Sequence, residues 1–291
     1  WTSSMLSVVT PDAIRRHLLG PVIERFRREG IRVANLCVAQ ITANQMYHLY
    51  EAIIDPLSEG HQALEHRMAL GPSVALRLVP PDDGRDIQAW CRRLRELKGA
   101  SSPAIAPPGS IRHDLGSVNQ VLSILHASDS PQRARLESEI LLGGDADPAT
   151  WPDATAVAPL LDTIAAMFPR ETRGFPEVVG QLRARIVFRL WGQLSDDGRA
   201  LATRLVRSGD IAEPDAGRRI ADHVAATGAN RPLLTVLAAG FRPAVPRLDM
   251  AAVRRQLHAA GICLDDWSDA VLSTSVYFAP RCSRRYERMA S

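Results

Sequence analysis

A histidine followed by two carboxylates is the part of this sequence best suited to chemistry. His126 lies in the segment LHASDS, and Glu137 and Glu139 follow it in a segment that begins with a Ser-Pro helix start. An imidazole, with an unperturbed pKa of ~6.5, is largely neutral near pH 7 and can act as a nucleophile. A carboxylate on its other ring nitrogen would fix the tautomer and the orientation of the ring, and both glutamates are candidates.

The basic residues are almost all arginine. Of the 35 basic residues only Lys98 is a lysine, so guanidinium groups must do most of the phosphate or carboxylate recognition. The long loop that precedes His126 carries an arginine, Arg112, which favours a functional role for that loop. The sequence contains no GxxxxGK, HExxH or GxSxG motif, and its other histidines lack the spacing of a metal site.

The first half alternates strand and helix patterns that would position these residues. LSVVT, IRVANLCVAQIT and SVALRLV predict strands, and VLSILH predicts a buried strand or a short helix followed by a strand. Helical spacing marks residues 14–26, 43–54, 60–70 and 86–97, and a further helix runs from the Ser-Pro start to about Leu142. This order predicts a sheet that helices cover on one face, of the α+β or split βαβ kind.

A turn-rich segment, GGDADPATWPDAT, separates the two halves of the chain. We therefore predict one domain over residues 5–145 and a second over residues 150–291. The second half shows almost no strand pattern, and its helical runs predict an all-α domain.

Composition excludes several classes of protein. With 46% hydrophobic and 23% charged residues the chain is typical of globular proteins. No apolar run approaches the ~20 residues that span a bilayer, and we identify no signal peptide. The four cysteines form no CxxC, which favours a reducing, cytoplasmic location. Residues 1–150 hold 16 basic and 17 acidic residues and residues 151–291 hold 19 and 15, a balance that disfavours nucleic-acid binding.

Four segments, in order, resemble the nucleoside diphosphate kinase family. They are VTPDAIRRHLLGPVIERF, GPSVALRL, GSIRHDLG and ILHASDSPQRARLESEI, and together they cover about residues 6–142. The resemblance implies an α+β fold, a ferredoxin-like antiparallel sheet with covering helices. It also implies transfer of the γ-phosphoryl group of a Mg²⁺–nucleoside triphosphate to a nucleoside diphosphate or a related phosphorylated acceptor. The Mg²⁺ ion would be held mostly by the nucleotide.

The resemblance also assigns roles to individual residues. His126 takes the position of the phosphorylated histidine, and Ser128 lies where it can hydrogen bond near that ring. Counting forward from His126 favours Glu137 as its carboxylate, whereas aligning the ESEI ending favours Glu139, which we place first while keeping Glu137 open. The remaining correspondences concern the nucleotide. Arg95, Arg112 and Ser101 take the positions of residues that contact phosphate, and Tyr50 takes the position of a tyrosine that lies behind the histidine.

Several positions depart from the family pattern. Thr10 replaces the lysine that contacts the β- and γ-phosphates, Ser123 replaces the asparagine that contacts the sugar, and Ala127 replaces a glycine. The phenylalanine that stacks on the base falls near Gly60 or His61. These changes leave two alternatives open: a nucleotide-binding regulatory module without turnover, and a biosynthetic enzyme that uses the scaffold for another nucleotide reaction. A homo-oligomer, or a protein partner held by the helical half, also stays open.

Overall fold

The described residues divide between two units, Trp1–Thr172 and Arg173–Ser291. The structure is a computed structural model that describes residues 1–50, 59–242 and 248–277, without the side chains of Tyr50 and residues 59–61. The expected boundary between residues 145 and 150 therefore lies inside the first unit.

An antiparallel sheet forms the centre of the first unit. Among the described residues its strands are β1 (Met5–Val9), β2 (Arg32–Ala39), β3 (Ser73–Val79) and β4 (Leu125–Ala127). Their order in the sheet is β2-β3-β1-β4, and each neighbouring pair is antiparallel. This is the ferredoxin-like α+β arrangement that the resemblance implied. The segment VLSILH contributes only its end to β4, which lies at an edge of the sheet.

Eight α-helices surround this sheet in the described part of the first unit. They are α1 (Pro11–Arg15), α2 (Leu19–Arg28), α3 (Ala43–Tyr50), α4 (Glu59–Met68), α5 (Ile87–Lys98), α6 (Ile111–Asp114), α7 (Pro131–Leu142) and α8 (Val157–Met167). The helix expected over residues 14–26 is interrupted because His17 has a φ of 56°. The His17 ring lies 2.8 Å from the carbonyl oxygen of Phe168, a contact distant in sequence that the local pattern does not contain.

Helices cover both faces of the sheet, so the expectation of a single covered face is wrong. Met5 and Val9 of β1 pack in a cluster with residues of α1, α2, α5 and α8. Leu6 and Val8 point to the opposite face and pack with residues of α3, α4 and α7. A strand buried on both faces reads as a continuous apolar run without alternation, and MLSVV is such a run apart from its serine.

Helix α8 explains why the first unit extends beyond the predicted boundary. Its Ile164 is buried in the same cluster as Met5 and Val9, with Leu161 and Phe168 packed against it. Segment 143–155 contains short 3-10 turns capped by Asp147 and Asp153 instead of forming an open linker.

The second unit is helical throughout its described residues, as the sequence predicts. Its α-helices are α9 (Phe175–Leu190), α10 (Asp196–Ser208), α11 (Ala216–Ala221), α12 (Arg231–Ala238), α13 (Met250–Ala259) and α14 (Asp266–Ser275). Arg183 of α9 is fully buried, and its guanidinium donates to the carbonyls of Ile211, Glu213 and Ala239. In neither unit is any described helix long and apolar enough to cross a bilayer.

Candidate active site

His126 lies at the centre of the edge strand β4. The strand pairs with β1, with His126 opposite Val8 and Ala127 opposite Ser7. The Ser7 hydroxyl donates to the carbonyl of His126 at 3.0 Å. The backbone that carries the imidazole is therefore fixed by the sheet, while 14% of the side chain is exposed to solvent.

Glu137 of α7 binds one ring nitrogen of His126. Its Oε2 lies 2.8 Å from Nε2, and the Ser128 hydroxyl donates to the same oxygen. Because a carboxylate can only accept, Nε2 carries the proton and the lone pair of the neutral ring lies on Nδ1. Burial alone would raise the pKa of Glu137, but the hydrogen bonds from His126 and Ser128 and the charge of Arg133 outweigh it and lower the pKa. Glu137 thus remains an anion that orients the ring.

Placing Glu139 first among the two glutamates is wrong. Its side chain is 53% exposed and pairs with Arg135 at 3.1 Å, whereas the side chain of Glu137 is only 5% exposed. Two residues along an α-helix correspond to a rotation of about 200°, so the two carboxylates point to opposite sides of α7. The ESEI ending therefore aligns the wrong glutamate with the histidine.

The residue two positions before His126 has an unusual backbone conformation. Ile124 has a φ of 75°, which costs a non-glycine residue about 1–3 kcal/mol unless the surroundings hold it. Its amide donates to Asp12 Oδ2 at 2.9 Å, and its carbonyl accepts from the amide of Thr10 at 3.0 Å and from the Thr10 hydroxyl at 2.9 Å. The start of α1 thus determines how the chain enters the histidine strand.

Arg67 of α4 supplies a positive charge at this point, which sequence reasoning missed. Its Nη2 lies 2.6 Å from the Thr10 hydroxyl and its Nε lies 3.3 Å from Asp12 Oδ1, and the residue is only 4% exposed. Asp12 is fully buried, so the pair places opposite charges together in the interior. A signal was available, because Arg67 interrupts the apolar stripe formed by Leu64 and Met68.

Arg112 of α6 lies along the outer edge of β4. Its guanidinium donates to the carbonyls of Ser123 at 3.0 Å, Gly99 at 2.9 Å and Leu125 at 2.7 Å. Gly99 permits this arrangement because its φ is 81° and an added Cβ would lie 2.4 Å from the Ser110 hydroxyl oxygen. The arginine expected on phosphate therefore also closes the open edge of the histidine strand.

Lys98, the last residue of α5, reaches the same edge. Its Nζ donates to the carbonyl of Ala127 at 3.2 Å. The pKa of Lys98 is lowered to about 8, mainly by burial and also by the charges of Arg112 and Arg95, against the opposing effect of Asp129 and Glu137. No sequence pattern indicates a role for this lysine.

The other predicted site residues differ in how closely they approach the histidine. Thr10 is fully buried, and Ser123 is buried with its hydroxyl 3.5 Å from Arg112 Nη2. Arg95 is exposed on α5, and Ser101 is half-buried in the turn that follows Lys98. The side chains of Tyr50 and His61, and the surroundings of Gly60, lie outside what the structure describes. The structure therefore brings Thr10, Ser123, Ser128 and Arg112 close to the histidine strand.

Comparison with known proteins places residues 3–146 in a family. The sequence profile described as nucleoside diphosphate kinase matches residues 3–146. A nucleoside diphosphate kinase of Staphylothermus marinus is 30% identical over 156 residues, which cover 50% of this chain and 95% of that protein. Nucleoside diphosphate kinase 3 of Homo sapiens is 32% identical over 146 residues, which cover 50% of this chain and 80% of that protein. A crystal structure of nucleoside diphosphate kinase from Encephalitozoon cuniculi aligns at 26% identity and a TM-score of 0.42, covering 50% of this chain and 92% of that one.

Proposed function

Because the chain belongs to the nucleoside diphosphate kinase family, we propose that it transfers the γ-phosphoryl group of a nucleoside triphosphate through phosphorylated His126 to a nucleoside diphosphate or a related phosphorylated acceptor. The observation that carries this proposal is the hydrogen bond between His126 Nε2 and Glu137, which leaves the lone pair on Nδ1. The same geometry favours turnover over a module that only binds nucleotide.

In the first half of the reaction, Nδ1 attacks the γ-phosphorus. The bond between that phosphorus and the bridging oxygen breaks, and the bridging oxygen keeps the electron pair as the nucleoside diphosphate leaves. The ring becomes positively charged as the N–P bond forms, and the Glu137 carboxylate stabilises that charge through Nε2. In the second half, an acceptor phosphate oxygen attacks the phosphorus, the N–P bond breaks and the neutral ring returns.

Mg²⁺ would neutralise part of the phosphate charge in both halves of the reaction. In the described part of the chain no group of three or more His, Cys, Asp and Glu side chains lies together as a metal site. As the family resemblance implies, the nucleotide itself would supply most of the Mg²⁺ ligands. The chain's own contribution is the oriented imidazole and the basic groups along the edge of β4. We also propose that the protein is cytoplasmic. It would either form a homo-oligomer or bind a protein partner through the helical unit.

Labelling with γ-³²P-labelled ATP and Mg²⁺ tests the proposal. We expect an acid-labile, base-stable phosphoprotein that is lost in His126→Ala and that a nucleoside diphosphate discharges. His113→Ala is the matched control, because His113 is exposed and pairs with its neighbour Asp114.

The outcome separates the alternatives. Absence of label in a protein that binds nucleotide would exclude the kinase reaction and support a regulatory module. A label that no nucleoside diphosphate discharges would support a biosynthetic reaction with another acceptor.

A further inference from the structure

Lys98 is the only lysine in the chain, and it lies beside the residue that carries the nucleophile. Its ammonium is 3.2 Å from the carbonyl of Ala127, which directly follows His126. Pairing of Ala127 with Ser7 fixes that carbonyl in the sheet. The position of the ammonium is therefore set by the same strand that sets the position of the imidazole.

Two cationic groups occupy the outer edge of β4, one near each end of the strand. Arg112 donates to the carbonyl of Leu125, and Lys98 donates to the carbonyl of Ala127, so the carbonyls that they bind flank that of His126. Arg112 also donates to Gly99, the residue after Lys98, which keeps the two groups close. Like charges this near repel each other, and the lowered pKa of Lys98 reflects both burial and that repulsion. An anion with several oxygens would relieve the repulsion.

The charged groups that face Lys98 come from four elements. Arg95 lies on its own helix, Arg112 on α6, Asp129 in the segment after β4 and Glu137 on α7. Of the two carboxylates, Glu137 already binds His126 and Asp129 is exposed. The hydrogen bond that holds the ammonium is to a neutral carbonyl, which a phosphate oxygen can replace or supplement at little cost.

Arg67 is not placed to bind a phosphate in the same way. It is another cation near the histidine strand, but it pairs with the fully buried carboxylate of Asp12. Its charge is therefore compensated, and it lies in the interior instead of at the edge. Lys98 is half-buried and binds the Ala127 carbonyl at the edge of the sheet.

We propose that Lys98 binds the phosphates of the nucleotide beside His126 and supplies from the end of α5 the ammonium that Thr10 does not provide. This proposal rests on the proposed function for the identity of the ligand. It adds a phosphate-binding residue at a position where the family resemblance assigned none.

Equilibrium binding of MgADP to purified variants of the full chain provides the first test. A hydrogen bond to a charged group contributes about 1.5–3 kcal/mol, so Lys98→Met should weaken MgADP binding roughly 10- to 100-fold. Lys98→Arg should stay within about threefold of the unchanged chain, because it keeps a donor and a charge. Arg92→Met, an exposed change on the same helix, is the matched control and should bind normally. Thermal unfolding of each variant checks that a loss of binding is not a loss of fold.

Amine acylation provides the second test and uses the fact that Lys98 is unique. N-hydroxysuccinimidyl acetate can modify only Lys98 and the terminal α-amino group, which peptide mass spectrometry separates. Saturating MgADP should slow acylation of Lys98 at least about fivefold while leaving the terminal amine unchanged, since a bound phosphate both shields the amine and keeps it protonated. Without nucleotide, the rate should rise with pH around a midpoint of about 8.

The two tests separate this proposal from the phosphotransfer proposal. Phosphorylation of His126 together with normal binding by Lys98→Met and unprotected acylation would overturn only the role of Lys98. Protection of Lys98 without phosphorylation of His126 would overturn only the phosphotransfer reaction. No protection and no phosphorylation would overturn both.

Discussion

Restoring the family lysine at position 10 should fail in this chain unless Arg67 is removed as well. From sequence alone, Thr10→Lys is expected to raise phosphotransfer if the pocket is otherwise intact. The structure shows that the Thr10 hydroxyl lies 2.7 Å from Asp12 Oδ1, 2.9 Å from the Ile124 carbonyl and 2.6 Å from Arg67 Nη2. A lysine would lose these hydrogen bonds and place an ammonium beside a buried guanidinium.

The size of the effect follows from these distances. Two like charges about 4 Å apart repel by about 4 kcal/mol at an effective dielectric constant of 20, and Asp12 offsets part of this. We therefore expect Thr10→Lys to lower the free energy of unfolding by about 2–4 kcal/mol. Arg67→Met leaves Asp12 buried without its partner, which costs about 3–5 kcal/mol. In the double variant the introduced ammonium can pair with Asp12, so the combined loss should be smaller than the sum by about 2–4 kcal/mol.

Urea unfolding and the rate of His126 phosphorylation measure the two consequences. Thr10→Lys should phosphorylate more slowly than the unchanged chain, and the double variant should recover at least part of the rate. Thr163→Lys adds the same charge at an exposed position and should change stability by less than about 0.5 kcal/mol. Losses that add within about 0.5 kcal/mol would show that positions 10 and 67 do not interact, and faster phosphorylation by Thr10→Lys alone would refute the reasoning.

Two further predictions concern the carboxylates of α7 and the packing of the helical unit. Glu137→Gln should slow phosphorylation of His126 by about two to four orders of magnitude, whereas Glu139→Gln should leave the rate unchanged; equal rates for the two variants in a quench-flow assay would contradict our assignment. Folding lowers the pKa of Glu137, so its carboxylate stabilises the folded state at pH values above the unfolded pKa of 4.5. This stabilisation is lost as the pH falls below 4.5 and through the folded pKa. Glu137→Gln should therefore also flatten the acid limb of the plot of stability against pH. Gly217→Ala would place a Cβ 1.8 Å from the Leu237 carbonyl oxygen and should lower the free energy of unfolding by roughly 3 kcal/mol or more. Gly192→Ala is the control, because its added Cβ meets no atom within 4 Å and should leave stability unchanged. A normal melting temperature for Gly217→Ala would show that the backbone adjusts.

The sheet could be predicted from the sequence where local signals agree. The strand predicted at SVALRLV begins and ends where the structure has it, at Ser73–Val79, because Gly71-Pro72 and Pro80 limit a continuous apolar run. The second covered face was missed because a short buried strand has no alternation that would reveal how many of its faces are covered. The break at His17 could not be predicted either, since its partner Phe168 is 151 residues away.

The candidate site shows the same division between local and distant information. His126 and Ser128 come from one continuous segment, so the sequence places them together. Choosing between Glu137 and Glu139 needs the rotation of α7 relative to β4, which tertiary packing determines. Lys98 reaches the histidine strand from α5, whereas Arg67 reaches Thr10 from α4, and no local pattern links either of them to His126.

The arrangement around Ile124 explains why position 10 and the nucleophile depend on each other. The left-handed conformation of Ile124 is held by hydrogen bonds to Thr10 and Asp12, and the same two side chains bind Arg67. A change at Arg67 therefore acts on the backbone two residues before His126 without any contact with substrate. Thr10 carries no charge, and Arg67 compensates Asp12 from α4. Under the proposed function, phosphate binding therefore depends on cations elsewhere along β4, which is where Arg112 and Lys98 lie.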